Sequence, residues 1–279
     1  MFLGCTFREM PLYVVATPIG NLRDLTERAR DVLRQCDAVI AEDTRHSGNL
    51  LKHLGIHKPF HALPAFDEAA RVEPLVRRLA AGESLALVTD AGTPAVSDPG
   101  AVLVRRAVEE GVQVVPVPGP SAALAAVSVS GFPEGRFHFA GFLPRKASQR
   151  SEMLRELRPL RSQLVFYEAP QRLAETLADL RAELGDRPAL VARELTKMHE
   201  ELARGTLSAL ERRFSTDVRG EVVIVVRGAP EAAAEDPAAL EAEIRARLAR
   251  GERPKEIADA LSTAHSRRDV YQLALKLKK

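Results

Sequence analysis

Short apolar runs rich in valine, isoleucine and leucine recur along the chain. They are LYVVA from Leu12, AVIA from Ala38, LALV from Leu85, VQVVPV from Val112, LVF from Leu164, ALVA from Ala189 and VVIVV from Val222. Most are apolar throughout instead of alternating, which is typical of strands covered on both faces. Helical patterns lie between several runs. In the clearest, from Ala169 to Leu184, four leucines share one face before Gly185. The pattern therefore predicts an α/β fold.

The alternation of strands and helices changes its rhythm near PGPS, Pro118 to Ser121. We therefore predict two α/β domains, one over residues 11–118 and one over residues 119–229, with a ligand cleft between them. Residues 230–237 are acidic and rich in alanine, which is typical of an exposed linker.

Both ends of the chain differ from this α/β pattern. Residues 238–279 carry no strand signal and predict a small domain of three short helices, with breaks at Gly251 to Pro254 and near His265. This domain either covers apolar surface or forms a helix-turn-helix-like unit that contacts RNA. Residues 1–10 predict a disordered extension, because the first convincing strand begins at Leu12 and Met10 could serve as the start.

The composition is that of an ordinary globular protein. Of the 279 residues, 46% are hydrophobic and 28% are charged. The two cysteines are too few for a disulfide framework and suit a reducing compartment. No apolar run is long enough to span a bilayer, and the N-terminus lacks the pattern of a signal peptide. We therefore expect a cytoplasmic protein without a membrane partner.

Positive charge is concentrated in two segments, although the net charge of +2 is too small to indicate nucleic-acid binding by itself. Arg145 to Arg161 holds six basic and two acidic residues, and His265 to Lys279 holds five basic and one acidic. These segments are either solvated helix faces or RNA-binding surfaces. The candidate RNA contacts are Arg145, Lys146, Arg150, Arg267 and Arg268.

Four loops containing glycine or proline each follow a predicted strand. They are TPIGNL from Thr17, DAGTPAVSDPG from Asp90, PGPSA from Pro118 and YEAPQR from Tyr167. Any one of them could be an ordinary turn, but strand ends are where open α/β sheets hold ligands. The chain contains neither GxxxxGK[ST] nor GxGxxG after the first strand, which disfavours a triphosphate or a dinucleotide. Backbone groups and small hydroxyls instead suit a neutral or zwitterionic adenosine compound with an amino-acid end.

Seven segments stand in order and with compatible spacing: TPIGNL, AEDTR, DAGTPAVSDPG, PGPSA, FYEAPQR, ARELTK and GEVVIVV. Together they resemble the ribosomal RNA small subunit methyltransferase I family of the tetrapyrrole methylase superfamily. The resemblance implies a two-domain tetrapyrrole methylase-like fold with S-adenosyl-L-methionine in the interdomain cleft, plus a small C-terminal helical extension. It also implies a homodimer that methylates the ribose 2'-hydroxyl of a decoding-centre cytidine, cytidine 1402, in the 16S rRNA of the small ribosomal subunit.

The same resemblance places the cofactor-binding residues in the Gly/Pro loops and before the last strand. They are Pro18, Gly20, Gly92, Thr93, Pro94, Val96, Ser121, Ala122, Tyr167, Glu168, Gly220 and Glu221. The chain departs from the family near its end, where HSRRDVY replaces a Gly-Lys-Lys-like run, although Arg267 and Arg268 keep the basic character.

Methyl transfer to a ribose hydroxyl needs positioning and a group that takes the proton. The candidate catalytic residues are Glu42, Asp43 and Arg45 in AEDTR, and Glu194 and Lys197 in ARELTK. A lysine could act as the base only if its pKa were lowered. Alternatively, Asp43 is a helix cap and ARELTK is a structural ion-pair cluster.

Two alternatives to rRNA methylation remain at this point. A methyltransferase for a corrin precursor would share the cofactor cleft, and an RNA-binding assembly factor would share the basic segments. His53 and His57, with His46 and His61 nearby, raise the question of a metal. Gly55 interrupts the helix that would align them, so we expect no metal site.

Overall fold

The computed structural model describes residues 11–216, 218–230, 237–261 and 267–278. The chain forms two compact units, the first ending at Gly228 and the second beginning at Ala229. The predicted N-terminal extension, most of the predicted linker and the helix break near His265 lie outside the described residues.

The N-terminal half of the first unit is a parallel five-stranded sheet with strand order β3-β2-β4-β1-β5. Its strands are β1 (Leu12–Val15), β2 (Ala38–Ala41), β3 (Phe60–Ala62), β4 (Leu85–Leu87) and β5 (Val114–Val117). Its helices are α1 (Glu27–Gln35), α2 (Thr44–His53), α3 (Glu68–Ala80) and α4 (Ala101–Glu109). Because the strands are parallel, the loops that follow β1, β4 and β5 leave the same edge of the sheet.

The remainder of the first unit is a mixed five-stranded sheet with strand order β6-β7-β10-β8-β9. Its strands are β6 (Phe137–Phe142), β7 (Gln163–Glu168), β8 (Pro188–Arg193), β9 (Glu201–Thr206) and β10 (Val222–Val226). Its helices are α5 (Ala122–Ser128), α6 (Ala147–Leu157), α7 (Leu173–Leu184) and α8 (Leu207–Arg213). Strands β6 and β7 are parallel to each other. Strand β10 is antiparallel to both β7 and β8, and β8 is antiparallel to β9.

Every apolar run found in the sequence contains a strand, but three strands were missed. Strands β3, β6 and β9 all lie at sheet edges. An edge strand has one neighbour and keeps part of its surface in solvent, so it needs no continuous apolar run. The missed strands accordingly read FHA, FHFAGF and ELARGT and are only partly buried.

An apolar cluster joins the two sheets. It is built mainly from the second sheet and α5, with Val165, Leu190 and Val225 fully buried. Ile19, from the loop after β1 of the first sheet, belongs to the same cluster and is 7% exposed. The loops of the first sheet are therefore packed against the second sheet and do not project freely into solvent.

The second unit consists of helices. They are α9 (Pro237–Ala249), α10 (Pro254–Ala260) and α11 (Arg267–Leu277), as the sequence predicts. A small core of Ile244, Ile257, Ala258, Val270 and Ala274 holds them together. Across the described ranges of both units, no helix has the length and apolar character needed to cross a membrane.

Candidate active site

Three loops of the first sheet are hydrogen-bonded into one wall. Thr17 after β1 and Gly92 after β4 exchange two backbone hydrogen bonds, of 2.8 and 3.0 Å. The Thr17 hydroxyl donates to the carbonyl of Thr89 at 2.9 Å. The Thr93 hydroxyl donates to the carbonyl of Pro120, after β5, at 3.2 Å. The loops that the sequence predicted to converge are thus joined directly.

The loop after β4 contains an unusual amount of left-handed backbone. Gly92 and Gly100 have φ values of 89° and 120°, and Ala95 and Ser97 have φ values of 64° and 65°. For a residue with a Cβ this conformation costs on the order of 1–2 kcal/mol. Part of the surrounding support comes from Glu68, whose carboxylate accepts the Gly100 N–H at 2.9 Å. The loop is therefore held in a fixed shape by hydrogen bonds to other elements.

The opposite wall comes from the second sheet and α5. The Tyr167 hydroxyl at the end of β7 accepts the N–H of Ala123 at 3.3 Å. The rings of Phe139 and Phe142 meet Tyr167 edge to face, with centroids 4.9 and 5.6 Å from its own. Glu168 is fully buried at its side chain and accepts the Thr176 hydroxyl at 2.6 Å. This wall is therefore rigid, aromatic and internally hydrogen-bonded.

A cleft of about 460 Å³ lies between the two walls. This volume is within the usual range for a site that binds a cofactor-sized molecule. Nine of the residues predicted to bind the cofactor line it: Gly92, Thr93, Val96, Ser121, Ala122, Tyr167, Glu168, Gly220 and Glu221.

Three predicted cofactor residues lie elsewhere. Pro18 lines a neighbouring cavity. Pro94 is buried in the loop after β4. A Cβ on Gly20 would lie only 2.5 Å from Cγ of Lys197, so Gly20 allows the ARELTK segment to approach the loop after β1. These three residues shape the surroundings of the cleft and do not line it.

Several lining residues were missed from the sequence, including Ile19, Asp90, Asp98, Phe142 and Leu195. Asp90 and Asp98 belong to the DAGTPAVSDPG segment, whose glycines and prolines predict a ligand-binding loop. Two carboxylates in a loop with no other charge were an available signal.

The cleft is electrostatically negative. Five carboxylates line it, those of Glu42, Asp90, Asp98, Glu168 and Glu221, and no described lining residue is a lysine, arginine or histidine. Glu168 and Glu221 are paired with Arg172 at 3.5 Å and Lys197 at 3.1 Å, so the negative charge of the cleft comes mainly from Glu42, Asp90 and Asp98. Burial raises the pKa of Glu42, and the carboxylates of Asp90 and Asp98 raise it further. Burial also raises the pKa of Asp98, against the lowering effect of the Thr89 hydrogen bond. Neighbouring carboxylates repel each other when they are ionised. A bound cation would relieve this repulsion, so the cleft favours a positively charged ligand.

Asp43 and Arg45 do not line the cleft. Asp43 is the N-cap of α2, where its carboxylate accepts the N–H groups of Arg45 at 2.8 Å and His46 at 3.4 Å. Hydrogen bonds from the Arg45 side chain and the Arg45 N–H lower the pKa of Asp43 to about 2. Asp43 therefore positions the first turn of α2, and the exposed Arg45 side chain pairs with it at 3.0 Å.

Glu194 and Lys197 form an ion-pair cluster beside the cleft. The Lys197 ammonium lies 2.9 Å from a Glu194 oxygen and 3.1 Å from a Glu221 oxygen. The same Glu194 oxygen accepts the N–H of Glu221 at 2.9 Å. Partial burial lowers the pKa of Lys197, but the two hydrogen bonds outweigh it, so the pKa is raised. A lysine with a raised pKa stays protonated at neutral pH, which opposes a role as proton acceptor.

We expect the Lys197→Arg variant to keep turnover within about tenfold of the wild type, because arginine retains the positive charge between two carboxylates but does not act as a base. Lys197→Met should lose far more, because Glu194 and Glu221 then repel each other. Single-turnover methyl transfer at saturating donor measures both variants. Equal inactivity of Lys197→Arg and Lys197→Met would instead assign the proton transfer to Lys197.

The candidate RNA contacts have different environments. Arg145 and Lys146 are exposed before α6, and Arg268 is exposed in the second unit. Arg267 is paired with Asp259. Arg150 corrects the sequence interpretation, because its side chain is only 3% exposed and its guanidinium binds Glu175 and Asp179 of α7. A buried guanidinium that is already paired is not available to an RNA phosphate.

Metal ligands are not clustered in the described parts of the chain, where no three His, Cys, Asp or Glu side chains are arranged to hold an ion.

The fold and the cleft define a class of enzyme. Residues 11–211 match the family model for Tetrapyrrole (Corrin/Porphyrin) Methylases. Two solved structures share the fold at low sequence identity. A diphthine synthase has a TM-score of 0.59 and 17% sequence identity, and the match covers 78% of this chain and 89% of the synthase. The methyltransferase CobJ has a TM-score of 0.60 and 19% sequence identity, and the match covers 78% of this chain and 94% of CobJ. The chain belongs to the tetrapyrrole methylase family, and it is a methyltransferase.

Similar sequences specify the branch of that family. A protein of Xylella fastidiosa is 51% identical over 79% of this chain and 82% of its own length. A protein of Haemophilus influenzae is 41% identical over 95% of this chain and 96% of its own length. A protein of Mesorhizobium japonicum is 43% identical over 97% of this chain and 93% of its own length. All three relatives are named ribosomal RNA small subunit methyltransferase I.

Proposed function

We propose that the protein transfers the methyl group of S-adenosyl-L-methionine to the ribose 2'-hydroxyl of a cytidine in 16S rRNA. The nucleotide proposed is the decoding-centre cytidine 1402. The names of the relatives support rRNA of the small subunit as the substrate. The observation that carries the donor assignment is the cleft lined by the carboxylates of Glu42, Asp90 and Asp98 and by no described cationic side chain.

This charge distribution fits S-adenosyl-L-methionine better than a nucleotide phosphate. The donor carries a sulfonium, an ammonium and a carboxylate, so its net charge is positive and Glu42, Asp90 and Asp98 would stabilise it, whereas a phosphate would be repelled. Residues of the loop after β4 and residues at the start of α5 would hold its polar groups. Gly92, Thr93, Ser121 and Ala122 lie on those two elements and line the cleft.

The donor, when bound, supplies an electrophilic methyl group. The side chains of this protein orient the acceptor hydroxyl and receive its proton, and the rigid walls exclude water from the methyl group. Fixed positioning accounts for a large part of the acceleration in such a displacement. The joined loops and the aromatic wall described above are suited to this work.

Exposed basic groups support RNA as the acceptor. Arg145 and Lys146 lie next to each other before α6, and Arg268 lies in the second unit. Such groups contact phosphates and make binding sensitive to salt. We further propose that the protein works in the cytoplasm and that it is a homodimer. Light scattering of the purified protein would measure its molar mass and so test the homodimer.

The test of the proposed function is a map of 2'-O-methyl groups on 16S rRNA. Small subunits that lack the modification are incubated with donor, with and without the protein, and the rRNA is scanned by primer extension at low nucleotide concentration. We expect one new stop, at the decoding-centre cytidine. A parallel reaction offers small corrin precursors. Methylation of a corrin precursor, with the rRNA unchanged, would refute the proposal in favour of a tetrapyrrole substrate.

The assembled subunit should be a far better substrate than a short RNA. Because contacts with many phosphates contribute to binding, we expect kcat/KM for an oligonucleotide of the same sequence to be at least about a hundredfold lower. Tritium transfer from labelled donor measures both substrates in the same buffer. Efficient methylation of the oligonucleotide would contradict this prediction.

A further inference from the structure

A second cavity of about 320 Å³ adjoins the donor cleft. Its lining residues come from the loop after β1, from α2 and from the loop after β4, and are Pro18, Leu22, His46, Asn49, Leu50, His53 and Asp90. Four of them, at positions 46, 49, 50 and 53, have the spacing of one helix face. One side of α2 therefore forms a wall of this cavity.

Asp90 lines both cavities. One of its carboxylate oxygens, Oδ1, is buried and has no hydrogen-bond partner among the described residues. Buried polar atoms are normally satisfied, so an exception at the junction of two cavities needs an explanation. A ligand hydroxyl that enters from the second cavity would supply the missing hydrogen bond.

We propose that the second cavity binds the acceptor nucleoside and that the Asp90 carboxylate takes the proton from its ribose 2'-hydroxyl. This inference rests on the proposed function. In the reaction the methyl carbon forms a bond to the 2'-oxygen as its bond to sulfur breaks. The sulfonium leaves as a neutral thioether, and the hydroxyl proton passes to Asp90. An in-line displacement requires the acceptor beside the donor, as these adjoining cavities provide.

The chemistry of the second cavity suits a nucleobase. Single-stranded bases are recognised by stacking on flat side chains and by hydrogen bonds to their edges. His46 and His53 offer flat rings, and Asn49 offers both a donor and an acceptor. Pro18 and Leu22 supply apolar surface, and the exposed His46, Asn49 and His53 are accessible to a nucleotide presented by a larger RNA.

The position of α2 also gives the AEDTR segment a role. Asp43 fixes the first turn of α2, and the exposed Arg45 side chain lies in the same turn. We infer that Asp43 is a positioning residue for the acceptor cavity. Arg45 lies where a phosphate beside the bound nucleoside would be attracted to it.

The first test compares the combined variant His46→Ala, Asn49→Ala, His53→Ala with His57→Ala. His57 is an exposed histidine that lines neither cavity, so it is the matched control. For the combined variant we expect KM for small subunits to rise about tenfold or more, at unchanged donor affinity by calorimetry. His57→Ala should behave as wild type. An unchanged KM, or a loss of donor affinity in the combined variant, would overturn the proposal.

Asp90→Asn tests the proton transfer. At saturating donor we expect turnover to fall by roughly 10²–10⁴-fold, while small subunits still bind. Turnover of Asp90→Asn within a few-fold of wild type would exclude Asp90 as the proton acceptor.

A crosslinking measurement separates this inference from the proposed function. A photoreactive side chain is placed at Leu22, in the second cavity, or at Val108, which is 60% exposed on α4. Leu22 should crosslink to 16S rRNA within a nucleotide or two of the methylated cytidine, and Val108 should not. Equal crosslinking at both positions would overturn the site. Absence of wild-type methylation of small subunits would refute the proposed function, whatever the crosslinks show.

Discussion

The double variant Glu42→Gln, Asp98→Asn should bind S-adenosyl-L-methionine about ten- to a hundredfold more weakly than the wild type, at nearly unchanged affinity for S-adenosylhomocysteine. The two ligands differ by one methyl group and one positive charge. At an effective dielectric constant of about 20, a carboxylate about 6 Å from a unit cation stabilises it by roughly 3 kcal/mol, and solvent in the open cleft reduces this. Calorimetry with both ligands measures the ratio of affinities.

The control for this experiment removes the same net charge outside the cleft. Glu109 and Glu110 pair with Arg106 at the end of α4 and line neither cavity, so Glu109→Gln, Glu110→Gln should leave both affinities unchanged. Asparagine at 98 can still accept the Thr89 hydroxyl, which preserves the loop. An equal loss of affinity for both ligands would show that the carboxylates do not recognise the sulfonium.

Donor binding should also depend on pH with a definite sign. The pKa values of Glu42 and Asp98 are raised above the ordinary values of 4.5 and 3.8. Donor binding favours the ionised carboxylates. The affinity for the donor is therefore highest at neutral pH, where both carboxylates are ionised, and falls as the pH is lowered and they become protonated. The double variant should lose most of this dependence, whereas the Glu109→Gln, Glu110→Gln control should keep it.

Arg150→Met should lower the melting temperature by roughly 6–12 °C, which corresponds to about 3 kcal/mol. The Arg150 guanidinium binds Glu175 and Asp179 of α7 and also donates to the carbonyls of Pro144 and Arg145. Methionine fills a similar volume but leaves these acceptors unpaired. Thermal unfolding followed by circular dichroism measures the shift.

Arg155→Met is the matched control for Arg150→Met. Arg155 lies on the same helix, is 64% exposed and makes one long ion pair with Glu183 at 3.9 Å. Exposed pairs contribute little, so its melting temperature should stay within about 2 °C of wild type. Similar melting temperatures for Arg150→Met and the wild type, with weaker binding to small subunits, would restore Arg150 as an RNA contact.

The sequence predicted the central strands and much of the cleft because both depend on local patterns. A strand between two neighbours must be apolar on both faces, as in VVIVV of β10, and a loop that presents its backbone needs glycine and proline. Edge strands such as β9 lack this requirement and were missed. The glycines and prolines around Asp90 indicate a role for the loop backbone, and this pattern does not point to the Asp90 carboxylate.

Other features depend on residues that meet only in the folded chain. The burial of Arg150 results from the packing of α6 on α7, and Arg150 lies 25 residues before its partner Glu175. The raised pKa of Lys197 comes from Glu194 in the same motif and also from Glu221, which lies 24 residues further along the chain. From the sequence alone, Arg150 in its basic segment is therefore interpreted as a phosphate contact, and Lys197 in the ARELTK motif as a catalytic base. The folded structure is needed to show the partners that oppose both roles.

The contact of Lys197 with Gly20 and the burial of Ile19 limit how the enzyme can exchange spent donor for fresh. A hinge that swung the two sheets apart would pull Ile19 out of an apolar cluster and separate two close-packed segments. We therefore expect product release to require only a local movement of the loop after β4. The backbone of this loop is strained at Ala95 and Ser97, and a small change in their torsion angles would relieve that strain. The rate of exchange would then be set by a few backbone torsions and not by a motion of whole lobes.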